Sequence, residues 1–192
     1  MAIVQSPTAD EATGAVAEIY ASDIADQGFV AAHTRALSLN PEAYLAWEEL
    51  IGAIAGPMDT RRYELITLAA ARGAASAHCL LAHGRKSLRY FDEDTLVAIA
   101  NDYRSAPLTD AEKTMMDFAE RVSRDAAGMT DADSLRLRDA GFSDREIVDI
   151  ALAAAARNFY SRAVQALAVE LEPPADISDR LRDALMAAAL TR

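Results

Sequence analysis

The chain has 192 residues, 43 of them alanine, and few β-branched runs, so it can bury one sizeable core and has the composition of helices packed closely through small side chains. Its formal charge of −11 repels nucleic-acid phosphates and anionic membrane surfaces, which excludes both as partners. No apolar run reaches the roughly 20 residues that span a bilayer, the N-terminal stretch lacks a basic region followed by an apolar one, and a single cysteine cannot form an internal disulfide; a cytoplasmic, reducing setting is expected.

The predicted fold is all-α. Thr8 with Glu11 forms a capping box that predicts a first helix over 9–23. Asn40 before Pro41 opens a helix over 41–56, because proline at the first helical position gives up a donor that has no partner there. Asp59 or Thr60 opens 60–72, and Gly73 is placed to close it in the left-handed conformation. Ser76 opens 76–89; Gly84 either ends that segment early or is tolerated within it at about 1 kcal/mol relative to alanine. Helices over 93–102, 109–126 and 131–140 follow, the second opened by Thr109 with Glu112 and the third closed by Gly141. Ser143 with Glu146 opens a long helix over 143–170. The stretch "EPPAD" at 172–176 then sets a tail (173–192) apart from a main domain (1–172). Its helix, 177–190, carries an Ile177, Leu181, Leu185 and Ala188 stripe that must cover its own bundle or a neighbouring subunit.

The chemistry is concentrated in "ASAHCLLAH", residues 75–83. With Ser76 as N-cap, Cys79 falls at the third helical position, where open backbone N–H groups and the helix dipole favour a thiolate. His83, one turn on, shares its face and can exchange a proton with it. Glu64, on the preceding helix, can orient that histidine if the two helices form a hairpin. Ser76 can donate a hydrogen bond to a thiolate but cannot resolve a sulfenic acid as a disulfide, so a redox cycle at Cys79 needs an external thiol. The competing reading is a small buried cysteine in an alanine-rich helix. A zinc site from Cys79, His83, Glu64 and His78 lacks the usual number of sulfur or imidazole ligands at recognised spacings, so neither metal nor cofactor is expected. His33 has no partner in the sequence and is read as an ordinary histidine. Trp47, with Tyr44 and Leu50 near it on one face, reads as core or subunit interface. Asn158 and Arg162 share a face and either border the pocket or brace a helix junction.

The stretch "YELITLAAARGAASAHCLLAHG" resembles the active-site segment of the alkyl hydroperoxidase D (AhpD)-like branch of the carboxymuconolactone decarboxylase superfamily. Glu64, Ser76, His78, Cys79 and His83 fall at the family's offsets, with Ser76 where the family has its first cysteine. Residues 108–162 are similar to the family's downstream block and the lead-in from residue 14 to its peroxidase-related subgroup. The resemblance implies an AhpD-like helical bundle assembling into trimers or hexamers. It also implies Cys79 as the thiol that meets peroxide, His83 and Glu64 as proton relay, and His78 as auxiliary. The function expected is a thiol-dependent hydroperoxide reductase, a peroxiredoxin-type oxidoreductase using one cysteine and an external thiol reductant. The alternatives are an acid–base enzyme on a small carbonyl or lactone compound, as on the decarboxylase side, and a non-catalytic oligomeric binding protein.

Overall fold

The computed structural model describes residues 3–190, and every regular element among them is helical: α1 Gly14–Gln27, α2 Ala32–Leu37, α3 Pro41–Ala55, α4 Thr60–Gly73, α5 Ala77–Ser87, α6 Glu93–Asp102, α7 Asp110–Asp125, a 3-10 turn Ala126–Gly128, α8 Asp131–Asp139, α9 Asp144–Ala166 and α10 Asp179–Ala188. No helix among these residues is long and apolar enough to cross a membrane. The last two residues of the expected tail lie outside the described residues.

Helix α4 is the centre. Every residue from Tyr63 to Arg72 is buried, as expected of a helix surrounded by others rather than lying on a surface. It packs against α5, α7 and α9, and one continuous apolar cluster runs through Leu65, Ile66, Leu81, Met115, Ile150 and Val164. The stripe on α10 belongs to that same cluster, since Leu181 and Leu185 are buried in it and the helix lies on α5 and α6 of its own chain.

Two glycines serve close approach rather than termination. A Cβ on Gly84 would stand 2.4 Å from Leu185 Cδ1, so glycine lets α10 lie directly on the middle of α5. At Gly73 a Cβ would stand 2.3 Å from the Glu120 carbonyl oxygen, so glycine seats the end of α4 on α7. The expected left-handed closure at Gly73 is corrected. The left-handed residue is Ala75, at φ +54°, and Gln165 Nε2 on α9 holds that turn by donating to the carbonyls of Ala74 and Ala75, each at 2.9 Å.

Two departures sit at the N-terminal end. Only half of the Thr8–Glu11 box forms: Thr8 N–H reaches Glu11 Oε2 at 3.0 Å, while the Glu11 N–H goes to the Thr8 carbonyl, closing a single turn. Gly14, at φ +56°, breaks the run, so α1 starts five residues later than expected, at Gly14 and not at residue 9. Helix α2 carries no local capping signal. Its first open donors are satisfied from a distance, Ala31 N–H by Asp23 Oδ2 at 2.8 Å and Ala32 N–H by Glu172 Oε2 at 2.7 Å. A helix capped by tertiary contacts leaves no mark in its own six residues.

Candidate active site

A cleft of about 650 Å³ opens between α1, α2, α3, α4, α5 and α9, and Glu64, His78, Cys79 and His83 all line it. The α4–α5 turn makes this possible by folding α5 back along α4. Ser76 caps α5, its Oγ accepting the Cys79 N–H at 3.5 Å, which sets Cys79 at the third helical position on the buried side. Ser76 itself is 1 % exposed and is occupied as the cap.

The Glu64–His83 pair forms. His83 Nδ1 lies 2.6 Å from Glu64 Oε2, both groups being buried. Burial, reinforced by Arg157, pushes the His83 pKa down to about 4 against the opposing pull of Glu64. Burial acts to raise Glu64, but the hydrogen bond from His83 and the positive field of Lys86 and Arg157 outweigh it and hold the carboxyl below its ordinary value. The neutral imidazole therefore donates Nδ1–H to a carboxylate, which leaves Nε2 as an unprotonated base.

Cys79 is 3 % exposed. Its Sγ is 3.2 Å from Ser161 Oγ, and Arg157 Nη1 donates toward it at 3.9 Å. Arg157 Nη2 donates to Tyr63 OH at 3.3 Å. The guanidinium also faces the Trp47 and Tyr160 rings, 6.0 and 5.8 Å from their centroids. The hydroxyl at the thiol is therefore supplied by Ser161 of α9.

His78 lines the cleft at its edge, where Nε2–H donates to the Glu170 carbonyl at 3.0 Å. His33 also lines the cleft, packed edge-on to Tyr160 at 5.7 Å, and burial pushes its pKa down to about 4. Its reading as an unremarkable histidine missed this, because only the tertiary fold brings α2 to α5. Trp47 is part of the cleft wall as well as of the core, 4.4 Å from the Tyr160 ring.

Asn158 and Arg162 are corrected as cleft-bordering residues. Asn158 Nδ2 donates to Ser123 Oγ at 2.9 Å and Arg162 Nη2 to the Ser123 carbonyl at 3.3 Å, so both brace α9 on α7. The face that meets the thiol is Arg157 and Ser161, the same i, i+4 spacing one residue earlier. The available signal is Arg157 at the end of the alanine run 153–156, since an arginine next to small apolar residues on a packed helix needs a buried partner. Among the described residues no group of three or more His, Cys, Asp or Glu side chains is arranged to hold a metal ion.

No family model matches the chain and no curated protein is similar to it. Solved structures are. An uncharacterized peroxidase-related protein with an alkylhydroperoxidase AhpD core from Ralstonia eutropha JMP134 is 22 % identical, with a TM-score of 0.77 over 96 % of both chains. An uncharacterized peroxidase-related protein from Silicibacter sp. TM1040 is 25 % identical, with a TM-score of 0.77 over 94 % of this chain and 95 % of that one. A cysteine-to-alanine form of the debrominase Bmp8, in complex with 2,3,4-tribromopyrrole, is 16 % identical with a TM-score of 0.77, covering 98 % of this chain and 100 % of its own. Over nearly its whole length the chain therefore has the AhpD-like helical fold.

Proposed function

We propose that the protein is a thiol-dependent hydroperoxide reductase working through Cys79 alone, with an external thiol as reductant. The observation that carries this reading is the convergence of a buried thiol with a Glu64–His83 pair in one cleft. The Cys79 thiolate attacks the distal peroxide oxygen, the S–O bond forms as the O–O bond breaks, sulfur is oxidised and the peroxide is reduced. His83 Nε2 takes the peroxide hydroxyl proton and passes it to the leaving alkoxide, giving an alcohol and a Cys79 sulfenate. Two molecules of external thiol then return the thiolate, with release of a disulfide and water. No second cysteine exists in the sequence to resolve the sulfenate internally.

Stoichiometric cumene hydroperoxide with sulfenate trapping tests this. Rapid trapping in the wild type that is absent from Cys79→Ser supports the reading, and a thiol inert to hydroperoxide overturns it. Turnover of a small lactone that survives Cys79→Ser would favour acid–base chemistry at His83 instead.

A second thiol-dependent reading is favoured by the aromatic wall. Trp47, Tyr160, Tyr44 and Tyr63 line the cleft and suit a planar ring, and a similar structure is a debrominase holding a brominated pyrrole. Bromide release from brominated pyrroles in the presence of a thiol reductant checks it. A homo-oligomer is also proposed, supported by Val148, Leu152 and Phe159 on α9, which are 53, 46 and 58 % exposed and lie along one helical stripe; light scattering reads the mass.

A further inference from the structure

Arg157 presents a problem of charge. Its side chain is 5 % exposed, and no carboxylate among the described residues is in ion-pair contact with it. The carboxylates of Glu64 and Glu48 feel its charge without touching it, and a buried cation with no anion in contact is destabilising. Its polar neighbours are Cys79 Sγ and Tyr63 OH, and its Nε–H has no partner. Of the two groups it touches that can become anions, the thiol ionises the more readily, with reference values near 8.5 against about 10.

We propose that Arg157 is a catalytic residue that holds Cys79 as a thiolate and then takes the negative charge that moves onto the oxygen bound to sulfur. The first half stands on the geometry alone; the second rests on the hydroperoxide reading. Ser161 Oγ, at 3.2 Å from the sulfur, is the neutral donor that shares the same anion. The step keeps its balance: thiolate and hydroperoxide give sulfenate and alcohol, the charge stays beside the guanidinium throughout, and the one proton moves from the peroxide hydroxyl to the alkoxide through His83.

The obvious rival for this role is His83 as an imidazolium. The other charged or titratable groups of the cleft are Tyr63 and Glu64 on α4, Tyr160 on α9, His78, Arg85 and the exposed Lys86 on α5, His33 on α2, Tyr44 and Glu48 on α3 and Glu18, Asp23 and Asp26 on α1. Glu64 is committed to His83. Burial and the nearby Arg157 charge both act against a second positive charge on His83. The fixed cation and the titrating base are thus different residues. A guanidinium does not titrate in the working range, so the thiolate persists at pH values where an imidazolium partner would have lost its proton.

The test is the thiolate ultraviolet absorbance of the intact protein as a function of pH, read beside the rate of iodoacetamide alkylation, in the wild type, Arg157→Met, Arg157→Lys and His83→Gln. The expected result is a wild-type midpoint well below about 8.5, raised by one pH unit or more in Arg157→Met, largely restored in Arg157→Lys and little changed in His83→Gln. An ordinary wild-type midpoint overturns the assignment whether or not any variant folds, as does a His83→Gln shift as large as that of Arg157→Met. Cumene hydroperoxide trapping on the same samples separates the two readings. A low midpoint that depends on Arg157, with no sulfenate, retains the thiolate assignment and removes the peroxide step; rapid sulfenate formation with an ordinary midpoint does the reverse.

Discussion

Glu64 Oε2 and His83 Nδ1 stand 2.6 Å apart across the α4–α5 hairpin, and this contact fixes which imidazole nitrogen is free to move a proton. Glu64→Gln is expected to keep the packing but lose the tautomer, because an amide can either accept from Nδ1 or donate to it. Sulfenate formation should slow by about 10²-fold, within the range of a lost acid–base relay, while the pH midpoint of Cys79 alkylation stays close to the wild-type value. Stopped-flow mixing with hydroperoxide and an alkylation series read the two effects separately.

Acid should weaken the fold before the carboxylates titrate. His33 and His83 both have folded pKa values of about 4, below the ordinary histidine value near 6.5. The unfolded chain therefore binds protons first. The stability these neutral histidines contribute is present above about 6.5 and is lost as pH falls toward 4. Each histidine adds up to about 1.4 kcal/mol per pH unit to the slope. Urea denaturation between pH 7 and 5 should show this decline, and His33→Gln should reduce its slope by about half of the histidine share.

Gly84→Ala should cost about 1–3 kcal/mol, as overpacking does, because the added methyl meets Leu185 of α10. Leu185→Ala alone leaves a cavity and should cost about 2–5 kcal/mol. The two changes compensate each other in volume, so the double variant should be destabilised by clearly less than the sum. A double-mutant cycle by chemical denaturation reads the coupling.

Ala75 holds a left-handed backbone, φ +54°, which disfavours a residue with a Cβ by roughly 1–2 kcal/mol. Ala75→Gly removes that strain and gives part of the gain back through a more flexible unfolded chain. A net stabilisation of about 0.5–1 kcal/mol is expected, visible as a higher denaturation midpoint with an unchanged slope.

Much of the architecture is written locally. The capping pairs Thr109–Glu112 and Ser143–Glu146 start α7 and α9 where the sequence places them, because a side chain satisfying a donor three residues away needs no help from the rest of the fold. The same holds for Ser76 and Cys79 at the start of α5. Local signals failed where distant residues took over. The Thr8–Glu11 pair is present yet closes only a turn, and α2 is capped by Asp23 and Glu172.

The sequence by itself determined the all-helical class, the single thiol, and the spacing that brings Cys79 and His83 to one face of α5. Tertiary structure alone decided that Glu64 reaches His83, that Ser161 and Arg157 rather than Asn158 and Arg162 meet the thiol, and that His33 and Trp47 wall the cleft. The reason is rotational. Neighbouring residues on a helix point about 100° apart, so which of two adjacent i, i+4 pairs on α9 faces Cys79 depends on how α9 seats against α4 and α7, and that is set by close packing across the whole core.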